Sequence, residues 1–446
     1  MIYVKDIIDI CDGKLICGSK KLSCKHFTND TRSLEEDDVY VGIKGESFNG
    51  NKFYKEAFKK GASVCILDDE SVIDDEYNEG TIILVDDTIE AIQKIAKYKR
   101  SLYDIPVIAV TGSVGKTSVK DIVYQVVSSE YNTLCTKGNM NNHIGLPLTI
   151  LNLDKHEALV VEMGMNHMGE IHLLSNIAKP TIGIITNIGT AHIGNLGSRQ
   201  NILKAKMEIT DGMNNGTLII NNDNDLLSGV EYNNLITIGI DNKSDYMAYS
   251  ITDKVFSSEF YIDDNFITLP IGSRAFVYNA LFAYAVGKKL GISDEKIVKS
   301  LKSFKLTPHR LELINHDDYR IIDDTYNASF DSVNNALSML SKVKGRKVFI
   351  FGDILELDNY AESIHKDIGK CVIDYGVDVL ITVGKEAYNT YSVCYDHNIE
   401  SYHYKNNEEM LKEIDKIIDI GDTILVKGSH GMKLNEVVEH LKNFKK

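Results

Sequence analysis

Gly115, Lys116 and Thr117 stand inside VIAVTGSVGKTSVKDIVYQVV (107–127), where an apolar, β-branched run gives way to an amphipathic one. Glycines at 112 and 115 let backbone N–H groups approach phosphate oxygens. A helix opening at Thr117 adds partial positive charge, and Lys116 with Thr117 suits terminal phosphates and a bound Mg²⁺. The loop is shorter than GxxxxGK[ST], because Val110 stands five positions before Gly115. Its place between strand and helix carries the reading: Thr111, Gly112, Ser113, Val114, Gly115, Lys116, Thr117 and Ser118 are expected to hold ATP or GTP.

Other reactive side chains follow strands of the same kind. Glu162 ends the apolar run EALVVE, where a carboxylate on the phosphate-loop edge of a sheet can supply an oxygen to nucleotide-bound Mg²⁺. The alternative is a solvated strand-end acid, but MGMNHMG follows it with little to pack. His192 lies in ITNIGTAHIGNLGS (185–198), a glycine-rich loop after another strand; most such histidines are merely solvated. In NILKAKMEI, Lys204 and Lys206 read as surface charges unless divalent ions lie close, which would press a lysine toward its neutral, reactive form. The amides of TKGNMNNHIGLPLTI (136–150) fit either an uncharged polar ligand such as a nucleotide-sugar or plain turn chemistry. NKSD (242–245) imitates guanine recognition, yet no Asp stands three before any of the 32 glycines, so the companion DxxG of a GTPase is missing and a polar turn is expected.

A chain of 446 residues exceeds one ordinary core, and about 150 residues per domain implies about three. Before about residue 102, short strands such as ASVCIL (62–67) and TIILV (81–85) alternate with helical stretches such as NKFYKEAFKKG. From Pro106 the runs IPVIAVTG, EALVVEMG, TIGIITNIG and TLIINND are apolar on both faces, the mark of parallel strands covered by helices. Residues 246–271 alternate as antiparallel strand and 277–290 read as a helix. Beyond Pro308, YRIIDDTYN, RKVFIFGD, DVLITVGK and DTILVKGS each end in glycine or polar residues, the edge where open parallel sheets bind ligands. The expected fold is α/β: a small N-terminal α/β domain (1–102), a central phosphate-loop domain with a mostly parallel sheet (103–310) and a C-terminal Rossmann-like domain (311–446) that closes over the nucleotide.

The net charge of −15 argues against nucleic acid held by general electrostatics, so local groups must hold any anion. Seven scattered cysteines, never spaced as CxxC, point to reduced thiols rather than to disulfides or zinc. MIYVKDIIDICDGK is broken too early by charge to be a signal peptide, and no run approaches a membrane span, so a cytoplasmic protein is expected.

Together TGSVGKTSVK, TKGNMNNHIGLP, EMGMNHMGEI, ITNIGTAHI, DDTYNAS (323–329), FGDILEL (351–357) and VKGSHGM (426–432) resemble, in order and over essentially the whole chain, the Mur ligase family of peptidoglycan precursor synthesis. The GNxNNxIG and EMGxNxxGEI runs resemble the branch that adds D-alanyl-D-alanine to UDP-N-acetylmuramoyl tripeptide, since sister ligases share the phosphate loop but not these two runs. The resemblance implies that ATP phosphorylates the tripeptide's terminal carboxylate and that the dipeptide amine displaces phosphate. It implies two Mg²⁺ ions, held by Thr117, Glu162 and His192, with Lys206 matching a lysine the family commonly carbamylates into a metal ligand. Asn279 matches the adenine-side Asn; Arg310 and Asp324 would reach the nucleotide, Asp324 at the ribose. Tyr326, Asn327, Lys427 and Ser429 would line the cleft for the dipeptide. Thr31 and Arg32 of NDTRS, Gly45 of GESFNGNKF (45–53), Asn139 and Asn142 would hold the UDP-sugar. The enzyme would work as a monomer, on small molecules alone.

The chain departs from the family pattern at Asn49 and Asn51 (for Asp and His), Ala275 (His), Gln200 (Glu), Phe330 (Pro) and His430 (Arg). These positions bear on uridine and dipeptide contacts; the phosphate and metal residues are intact. A sister ligase, a paralogue with another amine substrate, or a nucleotide-gated binding protein without chemistry are the alternatives. Whether the tripeptide ends in diaminopimelate or lysine stays open.

Overall fold

Most runs of β-branched residues become parallel strands, as a strand apolar on both faces requires helices to cover it. The computed structural model describes residues 2–45, 47–74, 76–77 and 79–445. It divides into two units: Met1–Thr111, Glu130–Ile184 and Ala205–Leu218, and Gly112–Ser129, Ile185–Lys204 and Ile219–Lys446.

In the first unit a five-stranded sheet runs in the order Lys14–Cys17, Thr81–Leu84, Val64–Leu67, Val39–Val41, Phe27–Thr28, parallel except for the first pair. Tyr40, Tyr54, Cys65 and Ile82 fill one core against it. The helix Thr88–Ser101 starts where the Asp87 carboxylate accepts from the N–H groups of Ile89 and Glu90, satisfying donors the helix leaves open. At its far end the buried Arg100 donates to the carbonyls of Ala178 at 2.8 Å and Tyr103 at 2.5 Å, tying it to the end of the helix Glu170–Ala178.

The same unit holds the parallel strands Thr133–Cys135, Ala158–Glu162 and Val107–Thr111. All five residues of Ala158–Glu162 are buried, which explains why its sequence shows no alternation. Register sets Glu162 opposite Val110, at the carboxyl end of the strand that feeds the phosphate loop.

In the second unit the helix Lys116–Val127, one residue longer at its start than expected, packs on the helix Arg274–Lys289. Gly287 permits the approach, since a Cβ there would stand 3.1 Å from Val126. That second helix begins three residues before the expected 277, with Ser273 in extended conformation at its N-cap. The stretch 246–271 forms the antiparallel strands Tyr246–Lys254, Ser257–Ile262 and Asn265–Leu269.

The remaining sheet of this unit has the order Glu312–Asn315, Arg320–Asp324, Thr423–Lys427, Lys347–Gly352, Val379–Val383, Glu400–Tyr404, parallel after an antiparallel first pair. Ile321, Ile350, Ile381, Val426 and Leu441 belong to its core. Register places Asp324 beside Lys427 and Lys427 beside Phe351, so DDTYNAS, VKGSHGM and FGDILEL issue from one edge.

Candidate active site

The phosphate loop is held by the segment that follows a neighbouring strand. Gly112 has φ +153°, and a Cβ on it would lie 1.8 Å from the Thr186 hydroxyl oxygen. Only glycine fits there. Thr186 donates to the Val114 carbonyl at 2.6 Å, Asn187 donates to the same oxygen at 3.0 Å, and the Val114 N–H donates to Asn187 Oδ1 at 3.0 Å. Ser113 Oγ accepts from the Gly189 N–H at 3.0 Å. Gly115, at φ +81°, turns the chain into the helix, and Lys116 Nζ bonds the Gly112 carbonyl at 3.0 Å. Asn279 Oδ1 lies 3.8 Å from where a Gly115 Cβ would stand, which puts the expected adenine-side residue against the loop.

Arg310 reaches the same loop. Its Nη2 donates to Thr117 Oγ1 at 2.8 Å and its guanidinium carbon lies 3.8 Å over the Tyr326 ring, a cation–π arrangement. Arg310 Nε is buried with no hydrogen-bond partner, as is Thr111 Oγ1. Buried donors are normally satisfied, so each is a position where a bound oxygen would fit.

Asp324 and Lys427 meet at 2.5 Å, both buried, and Lys427 Nζ also donates to the Asn327 carbonyl at 2.9 Å. Burial pushes the Asp324 carboxyl above its usual value, against the pull of the Lys427 and Arg310 charges. Its other oxygen accepts from the Leu311 N–H at 3.3 Å, so a ribose contact there would compete with partners inside the chain. Ser429 Oγ accepts from the Leu355 N–H at 2.9 Å, joining VKGSHGM to FGDILEL. The His430 ring lies 6.0 Å from that of Tyr326.

His192 adopts a left-handed conformation, φ 63°, ahead of the short helix Ile193–Leu196, and Glu356 Oε2 stands 3.5 Å from its Nδ1. Thr190 N–H points at Asp331 Oδ2, 3.4 Å away.

In the other unit, Glu162 Oε1 accepts from Asn141 Nδ2 at 2.7 Å, and Lys206 is buried on the helix Arg199–Met207. Hydroxyl and carboxylate oxygens of the kind Thr117 and Glu162 offer are the donor set a hard divalent cation takes, so these residues fit Mg²⁺ chemically. Asn142 spends its carbonyl oxygen on the N–H groups of Ile144 and Gly145, while Asn139 is exposed. Thr31 Oγ1 donates to Glu56 at 3.2 Å and Arg32 forks onto Asp30 at 2.7–3.2 Å, a local turn exposed on the surface. Gly45 N–H bonds the Phe48 carbonyl at 2.7 Å; Glu46 of that stretch lies outside the described residues.

Residues 110–287 match the Mur ligase middle domain, and residues 309–430 match the Mur ligase, glutamate ligase domain. The chain is 37% identical, over 98% of its own length and 98% of the relative's, to the UDP-N-acetylmuramoyl-tripeptide--D-alanyl-D-alanine ligase of Bacillus subtilis. The chain belongs to the Mur ligase family. Among solved structures it is similar to MurF from Acinetobacter baumannii (29% identity, 99% of each chain, TM-score 0.89). It also matches the MurF ligase from Thermotoga maritima in complex with ADP (28% identity, 94% of this chain and 97% of that one, TM-score 0.81).

Four contacts of this Mur ligase were not legible in its motifs: Thr186 and Asn187 on the phosphate loop, Asn141 on Glu162, and Asp331 on the Thr190 amide. Asn141 sits between the two asparagines the sequence singles out, and only register across the strand distinguishes them. The NKSD turn is spent internally: Asp245 accepts from the Thr237 N–H and hydroxyl at 2.8 Å, and Asn242 Nδ2 donates to the Asn222 carbonyl at 2.8 Å. At the departures, Asn49 donates to Asp69 at 2.9 Å and Asn51 to Asp68 at 2.7 Å.

Proposed function

We propose that this Mur ligase joins D-alanyl-D-alanine to UDP-N-acetylmuramoyl tripeptide, using ATP and an acyl phosphate on the tripeptide. What carries the reading is the Arg310 contact to Thr117 over the Tyr326 ring: residues of the second family domain reach a hydroxyl of the phosphate loop. The curated relative in Bacillus subtilis bears the name of that reaction, and the Thermotoga structure is of a complex with ADP.

In this reading residues 1–102 hold the UDP end through Thr31, Arg32 and Gly45, with Asn139 and Asn142 beyond them, while 103–310 hold ATP and 311–446 hold the dipeptide. Loop amides and Lys116 grip the β- and γ-phosphates, Arg310 Nε offers a further donor, and Asn279 faces the adenine. Thr117 and Glu162 would hold one Mg²⁺ and His192 a second, with Lys206 carbamylated as an anionic ligand. Bound there, Mg²⁺ would screen the phosphate oxygens that repel an incoming carboxylate.

A carboxylate oxygen of the tripeptide then attacks the γ-phosphorus and ADP leaves. The dipeptide amine attacks the acyl carbon, phosphate leaves with the bonding pair, and the amine loses its proton. A carboxylate is a poor acyl donor and an acyl phosphate a good one, but only where water is kept out. Tyr326, Asn327, Lys427 and Ser429 would line that cleft. No helix among the described residues is long and apolar enough to cross a membrane; a monomer in the cytoplasm is the proposed setting.

Phosphate release with ATP, the tripeptide nucleotide and D-alanyl-D-alanine, omitting each in turn, tests the reading. Turnover that needs all three supports it. ATP hydrolysis indifferent to the dipeptide overturns it, and turnover with another amine points to a sister activity.

A further inference from the structure

Residues 288–308 join the two stretches that match family domains, and within the second unit they are fastened to one face of the phosphate-loop helix. Gln125, Asp121 and Thr117 stand four positions apart on the helix Lys116–Val127, so their side chains share that face. Gln125 Nε2 donates to the Ser300 carbonyl at 2.7 Å and to Ser303 Oγ at 2.9 Å. Asp121 Oδ2 accepts from the Thr307 hydroxyl, and Thr117 Oγ1 accepts from Arg310 at 2.8 Å. Between the first two of these attachments the buried Phe304 packs near Phe276, their ring centroids 6.4 Å apart. The connecting segment therefore meets the helix at three successive turns, the last of them at the phosphate loop.

Arg310 stands between two non-glycine residues in left-handed backbone, His309 at φ 66° and Leu311 at φ 54°. Residues with side chains rarely adopt that conformation, and it persists only where surrounding contacts over-determine it. On the downstream side the hold comes from the six-stranded sheet: His309 Nδ1 meets Asp323 Oδ2 at 2.7 Å, and the Leu311 N–H donates to Asp324 Oδ1 at 3.3 Å. On the upstream side it comes from Thr307 on Asp121. Asp121 Oδ1 lies 2.5 Å from Nζ of the buried Lys120, so the carboxylate that receives Thr307 is itself anchored.

We propose that Asp121 is a positioning residue for Arg310: from the phosphate-loop helix it holds Thr307, and through Thr307 the strained turn that presents the guanidinium at the loop. The inference rests on the ligase reading above, in which Arg310 meets the nucleotide.

Steady-state kinetics of the parent, Thr307→Val, Arg310→Lys and the double variant, with ATP varied, tests it as a double-mutant cycle. Valine keeps the branched shape at this half-buried side chain and removes the donor, whereas Asp121→Ala would also take a partner from the buried Lys120. Thr307→Val is expected to lower kcat/KM for ATP about tenfold where Arg310 is present, and by less than about twofold where it is already lysine. Thr307→Ser, which restores the hydroxyl, should return the parent value. A loss of equal size in both backgrounds would make Thr307 a structural contact only and overturn the positioning role, as would no loss in either. Should the parent show no turnover that depends on the dipeptide, the ligase reading falls, and calorimetric ATP titration of the same four proteins decides the positioning role separately: a non-additive loss of affinity supports it, and an additive loss or none overturns it.

Discussion

The Arg310 guanidinium donates to the Thr117 hydroxyl at 2.8 Å. Arg310 precedes the first strand of the six-stranded sheet and Thr117 lies in the first turn of the phosphate-loop helix, so one hydrogen bond links the two stretches matched by separate family domains. The plane stacked on Tyr326 and the two-nitrogen fork are properties of arginine that lysine lacks. Arg310→Lys is expected to lower kcat/KM for ATP by roughly 10- to 150-fold, the scale of a hydrogen bond to a charged group of about 1.5–3 kcal/mol. Tyr326→Phe, which keeps the ring, should change it little, and Tyr326→Ala should approach the lysine variant.

Gly112 admits no side chain. An Ala methyl would meet the Thr186 hydroxyl at 1.8 Å, and the φ of +153° adds backbone strain. Strain of about 1–3 kcal/mol, borne by the loop, corresponds to a loss of roughly 5- to 150-fold in nucleotide affinity. Gly112→Ala should show that loss by calorimetric ATP titration while its circular dichroism stays that of the parent. Unchanged affinity would mean the loop takes no part in gripping phosphate.

The parts of this architecture that announce themselves in sequence are those whose physics is local. Buried parallel strands such as Val107–Thr111 and Ala158–Glu162 are continuous β-branched runs, and the strained loop between strand and helix needs glycine at 112 and 115. The edge strand Glu400–Tyr404 is not legible, because none of its residues is fully buried and its run ESYHY carries no apolar signature. The roles of Asn141, Thr186 and Asp331 are hidden for a different reason: each acts on a residue at least 21 positions away, and such a pairing follows from sheet register and packing, which no single stretch encodes.

If Glu162 holds Mg²⁺ as proposed, Asn141 should tune it from behind. Its amide fixes one carboxylate oxygen at 2.7 Å, and partners of that kind typically govern metal affinity by about 10–100-fold. Asn141→Ala is therefore expected to raise the Mg²⁺ concentration for half-maximal turnover by that factor, while metal-free nucleotide binding stays as it is. Asn141→Asp should be worse, because a second carboxylate would face the first.

His365 gives the second unit an acid-side limit. The ring is fully buried, accepts at Nε2 from the Ile354 N–H at 3.1 Å and donates from Nδ1 to the Ala361 carbonyl at 2.8 Å, which defines a neutral tautomer. Burial holds its pKa below the ordinary 6.5, opposed by the Ala361 bond and the Asp353 charge. Below that ordinary value the unfolded chain takes up a proton that the folded ring refuses. The contribution is complete above about pH 6.5 and lost as pH falls toward the depressed value, by at most about 1.4 kcal/mol per pH unit. Thermal unfolding between pH 7.5 and 5 should show a falling midpoint, with a shallower fall in His365→Gln.

Lys206 is buried to 1% exposure, an unusual place for a lysine ammonium, and the family resemblance assigns it a carbamate. If the buried nitrogen carries a carboxyl group, the side chain is anionic and its loss removes a metal-binding oxygen pair rather than a positive charge. Lys206→Ala should then lose turnover that short carboxylates such as acetate or propionate partly restore, each supplying the missing oxygens in the vacated space. Intact-protein mass measured with and without bicarbonate should report one added CO₂ in the parent and none in the variant. A Lys206→Ala enzyme deaf to carboxylates, with no bicarbonate-dependent mass in the parent, would leave the lysine a buried cation and overturn the carbamate.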